Sequence, residues 1–205
     1  MKPQQMIKKT KKRAVALAIL ALTSLSCAPS TSQNTVEDAP TLKLGIERTE
    51  EYLPHLKGKK VGLVVNHTTI FPNRVHLADS LLALGIEIKT IFAPEHGFDT
   101  KGVDGAFINH QIDELTGLPI VSLYSNKLMP SEEDLSDVDI VLVDLPDIGS
   151  RFYTYLWTMS YILESCEKYD KRVIILDRPN PMAHNIDLAE GPILNQQCAS
   201  FIGRF

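Results

Sequence analysis

The sequence predicts a doubly wound α/β fold, in which a mostly parallel sheet carries helices on both faces. Short runs of nearly continuous apolar residues predict strands that are buried on both sides, as parallel strands are. Segments with helical spacing separate these runs, and this alternation is typical of a parallel sheet. Polar clusters follow the predicted strands. Together these observations indicate a Rossmann-like domain.

The predicted elements begin near residue 60 and continue to residue 176. Strands are predicted over 61–65, 86–92, 119–124, 138–145 and 173–176. A helix is predicted over 75–84, because its apolar residues share one face: Val75, Ala78, Leu81 and Leu82. A second helix is predicted over 153–168, with an apolar stripe formed by Leu156, Met159, Leu163 and Cys166.

Residues 1–40 have the composition of an export segment followed by a linker. Several Lys residues and Arg13 precede the apolar run 14–22, and a stretch of small residues then leads to Cys27. This order is typical of a secretory signal peptide, and the run is shorter than the roughly 20 residues of a membrane span. We expect residues 1–26 to be a signal peptide, 27–40 a flexible tether and 41–205 the folded domain.

Cys27 directly follows Ser26, and this junction resembles the lipobox of bacterial lipoproteins. Ser24 stands where a Leu is usual in that motif. We expect lipidation of Cys27, which would anchor an exported chain to a membrane, in the periplasm or at the cell surface. Ordinary cleavage nearby, with an incidental cysteine, is the alternative.

Charge and motif content exclude several classes of function. The formal net charge is −4, and the basic residues cluster in the predicted signal peptide, so no nucleic-acid partner is expected. The chain has no Gly-x-Gly-x-x-Gly or Gly-x-x-x-x-Gly-Lys-Ser/Thr sequence to hold a dinucleotide or a nucleoside triphosphate. It has neither a Gly-x-Ser-x-Gly elbow nor a His-Glu-x-x-His motif. We therefore expect no metal and no cofactor.

Polar or turn-forming residues follow each predicted strand, in the clusters 66–69, 94–98, 124–125, 144–151 and 177–181. In an open parallel sheet the carboxyl ends of the strands share one edge, where ligands bind. Each cluster alone is compatible with turns and helix caps. Their coincidence predicts one polar cleft, and its carboxylates, amides and aromatic rings suit a sugar.

In order along the chain, these sequences resemble the exo-β-N-acetylmuramidase family of peptidoglycan hexosaminidases. The resemblance extends from about Leu44 to Phe205 and is carried by Pro94-Glu95-His96-Gly97-Phe98, Thr116-Gly117-Leu118-Pro119, Ser122-Leu123-Tyr124, the run 147–155 and Asp177-Arg178-Pro179-Asn180-Pro181. It departs from the family at Pro146, where Gln is usual, and at Met182-Ala183-His184, which replaces a Gly-rich sequence.

The resemblance implies hydrolysis of a β-glycosidic bond, with release of terminal N-acetylmuramic acid from peptidoglycan fragments. Members of the family join a Rossmann-like N-terminal domain to a second domain, and their active site lies in the cleft between them. We therefore expect muramic acid glycosides as the substrate and a missing C-terminal half as a partner. The alternative is a non-catalytic cell-wall sugar-binding lipoprotein made of this half alone.

The resemblance also implies roles for individual residues. Glu95 is the expected catalytic acid. The second catalytic group remains open among the candidates Asp144, Asp147, His96 and Tyr124, as does the choice between inversion and retention. Substrate contacts are expected from Asn66, Asp144, Arg151, Tyr153, Asp177, Arg178 and Asn180. Arg151 either binds the lactyl carboxylate or forms an ion pair with Asp147 or Asp177.

Overall fold

The fold is a six-stranded sheet with helices packed on both of its faces. A computed structural model of the chain describes residues 42–99 and 111–204. The predicted signal peptide, the tether and Cys27 lie outside the described residues. Within those ranges, no helix is both long and apolar enough to cross a membrane.

Five of the six strands are parallel, as the sequence predicts. The strands are β1 (Lys60–Val64), β2 (Glu87–Ala93), β3 (Gln111–Ile112), β4 (Pro119–Ser122), β5 (Ile140–Val143) and β6 (Arg172–Ile175). They lie in the order β3-β4-β2-β1-β5-β6, and only β3 pairs antiparallel. In chain order, β2 and β4 are therefore added on one side of β1, and β5 and β6 on its other side. This reversal places a topological switch point between β1 and β5.

Four α-helices cover the two faces of the sheet: α1 (Thr49–Leu56), α2 (Leu77–Ala83), α3 (Glu132–Leu135) and α4 (Thr154–Lys168). Helices α1 and α2 share one core with Val61, Leu63 and Leu142. Helices α3 and α4 share the other core with Val64, Phe92 and Val143. Alternate residues of β1 and β5 thus point to opposite faces and are buried on both. This arrangement confirms the doubly wound fold.

The buried face of α4 differs from the predicted stripe. Leu163 is 44% exposed, whereas Tyr155, Thr158, Ile162 and Ser165 are buried. The hydroxyl of Ser165 donates to the carbonyl oxygen of Pro130 at 2.5 Å, which satisfies a buried polar group. Ser165, a small hydroxyl residue with a backbone partner, therefore occupies part of the buried helix face, where the apolar period predicted Leu. Helices α1 and α3 and strand β3 were not predicted at all.

A close backbone contact joins the start of the described domain to the end of β6. The amide of Gly45 donates to the carbonyl oxygen of Asp177 at 2.8 Å. A Cβ at residue 45 would lie 2.3 Å from the Asp177 nitrogen and 2.5 Å from the Leu176 carbonyl carbon. Only glycine permits this approach, and it ties the chain before α1 to the edge of the sheet.

We predict that Gly45→Ala lowers the free energy of unfolding by about 1–3 kcal/mol, because backbone atoms must move to admit the methyl group. Gly203→Ala is the matched control, since its Cβ would meet only the side chain of Leu194 at 3.6 Å. The control should change stability by less than about 0.5 kcal/mol. Urea unfolding of both variants tests this, and equal stability of the two proteins would contradict it.

Candidate active site

A buried ion pair joins the loops that leave β5 and β6 at the switch point. The side chain of Asp144 is completely buried, and Arg178 pairs with both of its oxygens, Nε with Oδ1 and Nη2 with Oδ2 at 2.8 Å. The same guanidinium donates to the hydroxyl of Thr68 at 3.1 Å and to its carbonyl oxygen at 3.0 Å. Arg178 therefore connects the carboxyl ends of β1, β5 and β6.

The electrostatics of Asp144 reflect two opposing effects. Burial raises the pKa of Asp144, while Arg178 and, more weakly, His76 act in the opposite direction. A buried carboxylate is tolerated only where a partner compensates its lost hydration. The ionised form of Asp144 therefore depends on Arg178.

Asn66 lies at the end of β1 beneath the exposed part of the site. Its Oδ1 accepts from the backbone nitrogen and the hydroxyl of Thr68, at 3.0 and 2.8 Å. Its carbonyl oxygen accepts from Nε2 of His76 at 3.0 Å, and Nδ1 of that ring accepts from the Ala78 amide at the start of α2. Asn66 and Asp144 are both 0% exposed, so they support the site from below.

Glu95 stands on a tight turn after β2. The amide of Gly97 donates to the carbonyl oxygen of Pro94 at 3.0 Å, and His96 between them has a φ of 71°. A positive φ at the third position of a turn is normal for glycine but strained for histidine. Both Glu95 and His96 are partly exposed. The turn thus presents a carboxylate and an imidazole at the edge of the sheet.

The first turn of α4 contacts Glu95. The hydroxyl of Thr154 donates to Oε2 of Glu95 at 2.8 Å. In the described part of the chain, Oε1 of Glu95 takes part in no hydrogen bond that satisfies normal geometry. This oxygen is the one available to a ligand.

Tyr155 lies behind Glu95 and is 4% exposed. Burial raises the pKa of Tyr155 to about 12, and the neighbouring Tyr153 and Glu95 add to this effect, whereas Asn66 opposes it. The rings of Tyr153 and Tyr155 are 4.7 Å apart. The side-chain nitrogen Nδ2 of Asn66 is buried and makes no hydrogen bond of normal geometry. The Asn66 side chain lies beside the Tyr155 hydroxyl, because it acts to lower the pKa of that group. Tyr155 therefore remains protonated at neutral pH.

A second polar link joins the loops after β5 and β6. Asp147 accepts from the Gly149 amide at 2.9 Å through Oδ1 and from Nδ2 of Asn180 at 3.1 Å through Oδ2. Gly149 has a φ of 78°, and a Cβ there would lie 2.5 Å from Oδ1 of Asn180. Oδ1 of Asp147 thus holds its own loop, and Oδ2 joins that loop to the one after β6.

Two of the predicted residues, Arg151 and Tyr124, have their contacts outside this cluster. The exposed Arg151 donates to the carbonyl oxygen of Pro192, and the described residues show no ion pair between it and Asp147 or Asp177. Tyr124 contacts the ring of Phe201 edge to face, with centroids 5.5 Å apart. Of the two alternatives predicted for Arg151, the described residues do not show the ion pair, and binding of a lactyl carboxylate stays a prediction.

Asp177 faces a different region from the other candidates. It lines a cavity of about 330 Å³ together with Arg48, Tyr52, Ile175 and Pro179, beside α1 and β6. None of the hydrogen-bonded residues of the polar cluster at the strand ends lines this cavity. We place the candidate site at the polar cluster, because the charged and hydrogen-bonding groups converge there. No group of His, Cys, Asp and Glu within the described ranges could hold a metal ion.

Sequence reasoning missed Thr154, Tyr155, Thr68 and His76 as members of the site. Thr154 and Tyr155 fall at the start of a predicted helix and within the run 147–155, but no individual role was predicted for either. The available signal was position, since a helix that begins just after a strand-end cluster brings its first turn to the same edge.

The comparisons with known proteins agree with the fold. A family model described as the N-terminal part of the exo-β-N-acetylmuramidase NamZ matches residues 61–205. The chain is 37% identical over 186 residues to the peptidoglycan β-N-acetylmuramidase NamZ of Bacillus subtilis (strain 168). That alignment covers 90% of this chain and 44% of the relative.

Two crystal structures of DUF1343 family proteins from Bacteroides fragilis NCTC 9343 are also similar. One has a TM-score of 0.71 at 35% identity, covering 80% of this chain and 41% of the other. The second has a TM-score of 0.66 at 40% identity, covering 79% and 41%. The chain thus spans less than half the length of the relatives it matches.

We predict that Arg178→Met lowers the free energy of unfolding by about 3–5 kcal/mol at neutral pH, because it leaves Asp144 buried without its partner. The raised pKa of Asp144 means that the native state keeps the proton of this carboxyl group at a pH where the unfolded chain has lost it. The stability of the variant should therefore fall as pH rises above about 4, and its deficit should shrink in acid. Urea unfolding between pH 3 and 7 measures both effects.

Lys60→Met is the control for this prediction. It removes an ion pair with Asp137 in which both side chains are largely exposed. Its effect should be small and should show no comparable dependence on acid. Similar losses in the two variants would show that the Asp144–Arg178 pair does not stabilise the site.

Proposed function

Because this chain belongs to the exo-β-N-acetylmuramidase NamZ family, we propose that it forms the N-terminal half of a glycosidase. The proposed reaction releases terminal β-N-acetylmuramic acid from peptidoglycan fragments. The reaction class is that of the curated relative, and the cluster at the strand ends contains carboxyl, hydroxyl and guanidinium groups that suit it.

The exposed, incompletely bonded carboxyl of Glu95 carries the proposal. Of the three candidate carboxyl groups Glu95, Asp144 and Asp147, Asp144 is bound by Arg178, and Asp147 is held by Gly149 and Asn180. Glu95 is partly exposed and keeps Oε1 unbonded among the described residues. A glycosidase needs a carboxyl group that reaches the scissile bond. We assign this role to Glu95.

The surrounding residues suit an acidic amino sugar. Arg151 is exposed, and a guanidinium can bind the lactyl carboxylate that distinguishes muramic acid. Tyr124 and Phe201 offer aromatic edges for a sugar ring. His96 and Tyr124 are the remaining candidates for the second catalytic group, because both oxygens of Asp144 and both of Asp147 accept hydrogen bonds within the protein.

We propose that the cleft is completed by a polypeptide equivalent to the remainder of the longer relatives. Apolar side chains after β6 support this, with Met182 52%, Ile186 81%, Leu188 55% and Ile193 96% exposed. Exposed apolar surface of this kind is typical of a contact with another protein surface. The same segment contacts the site loops, since Gly191 lies beside the guanidinium of Arg151.

We also propose export and lipid anchoring, supported by the order of basic, apolar and small residues before Cys27. Substrate in the cell wall is consistent with such a location. The anchor would be an acylated N-terminal Cys27 in the periplasm or at the cell surface.

We predict that Cys27→Ser abolishes incorporation of radiolabelled palmitate into the chain expressed in a bacterial host and releases the chain from the membrane fraction. Cys198→Ser is the control, because that cysteine is exposed and free in the folded domain. Labelling that persists in the Cys27 variant would disprove lipidation at this residue.

We predict that Glu95→Gln reduces release of the chromophore from a chromogenic β-N-acetylmuramide by about 10²- to 10⁴-fold, because the amide cannot transfer a proton. The assay uses this chain alone and joined to the remainder of the Bacillus subtilis relative. Glu87→Gln is the matched control, since Glu87 is exposed at the opposite end of the same strand.

Each outcome of this assay separates the enzyme from its alternative. Turnover by the joined protein that Glu95→Gln removes and Glu87→Gln retains would support the glycosidase. The absence of turnover from both forms, with retained binding of muropeptides, would instead indicate a non-catalytic cell-wall sugar-binding lipoprotein.

A further inference from the structure

We infer that Thr154 is a positioning residue that holds the carboxyl group of Glu95 in its reactive orientation. This inference rests on the proposed function, because it assigns a purpose to an otherwise unremarkable threonine at the start of α4. Nothing in the family comparison assigns a role to this side chain.

The contact between the two residues is specific. The Thr154 hydroxyl donates to Oε2 of Glu95 at 2.8 Å, and Thr154 is only 7% exposed. The two residues are 59 positions apart in sequence, so the hydrogen bond joins the turn after β2 to α4. In the described part of the chain, this is the hydrogen bond that restrains the Glu95 carboxyl.

The Thr154 hydroxyl is not used to cap its own helix. The residue before α4 is Tyr153, and no side-chain cap hydrogen bond is formed there. A threonine at a helix start commonly satisfies the free amides of the first turn. Here its hydroxyl points to Glu95 instead, which separates the role of this group from ordinary helix capping.

The chemistry of a hydroxyl suits a group that changes its protonation state. A carboxylate can accept from Oγ1 of Thr154, and a protonated Glu95 can donate to the same oxygen, because the hydroxyl both donates and accepts. Thr154 can thus restrain Glu95 throughout a cycle of proton transfer.

The turn that carries Glu95 makes this restraint necessary. Glu95 is partly exposed, and its neighbour His96 has a strained positive φ that directs the turn toward the edge of the sheet. Without Thr154 the side chain has more rotamers open to it. Misplacement of a reacting group by about 1 Å can cost about 10²-fold in rate.

The experiment compares Thr154→Val, Thr154→Ser and Thr158→Val in the joined protein used for the glycosidase assay. Valine keeps the shape of threonine and removes the hydroxyl, whereas serine keeps the hydroxyl. Thr158 is the matched control, because it lies one turn further along α4 and is also buried, at 6% exposure. All variants are first compared by thermal unfolding.

Thr154→Val should lower kcat by about 10- to 100-fold with little change in KM, since substrate binding does not use the hydroxyl. Thr154→Ser should restore most of kcat, and Thr158→Val should match the unsubstituted protein. An unchanged kcat in Thr154→Val, an equal loss in Thr158→Val, or no rescue by serine would overturn the inference.

Crystal structures of the Thr154→Val variant decide the positioning role independently of turnover. The Glu95 carboxyl should occupy more than one rotamer there, and a single unchanged rotamer would overturn the inference. If the unsubstituted joined protein shows no activity, the proposed glycosidase fails, while these structures still test whether Thr154 positions Glu95.

Discussion

The buried pair of Asp144 and Arg178 is the interaction on which the geometry of the site depends. A completely buried carboxylate is costly unless a partner replaces its hydration, and Arg178 does so through both oxygens. Because Arg178 also binds the backbone and hydroxyl of Thr68, the ends of β1, β5 and β6 form one unit at the switch point. The loops that carry Asp147 and Asn180 leave directly from this unit.

The start of α4 lies next to this unit and contacts the side chain of Glu95. Thr154 contacts Glu95 from the end of β2, while buried Tyr155 lies beside Asn66 from the end of β1. A single helix start therefore brings together residues from two neighbouring strands. A pKa of about 12 keeps the Tyr155 hydroxyl protonated, so it adds no second negative charge behind Glu95. The buried polar residues are hydrogen-bonded to one another, and Oε1 of Glu95 is available to a ligand above them.

Much of the fold and part of the site follow from local sequence. The parallel strands were predictable because Val61, Leu63 and their equivalents form short apolar runs, a local property of strands buried on both faces. Helix α3 was not predictable in this way, since it has four residues and a capping box as its main signal. The buried face of α4 was also misassigned, because Ser165 is buried through a hydrogen bond to a distant loop rather than through apolar character.

Local sequence is sufficient to predict the α/β class, the strand ends that carry polar residues, the family resemblance and the candidacy of Glu95. Which candidate groups are bound to one another is a property of the folded chain. The fold buries Asn66 and Asp144, bonds Oδ1 of Asp147 within its own loop and Oδ2 to the loop after β6, and places Asp177 at a separate cavity. The physical reason is that burial and hydrogen bonding depend on neighbours distant in sequence, whereas strand and helix periods are properties of consecutive residues.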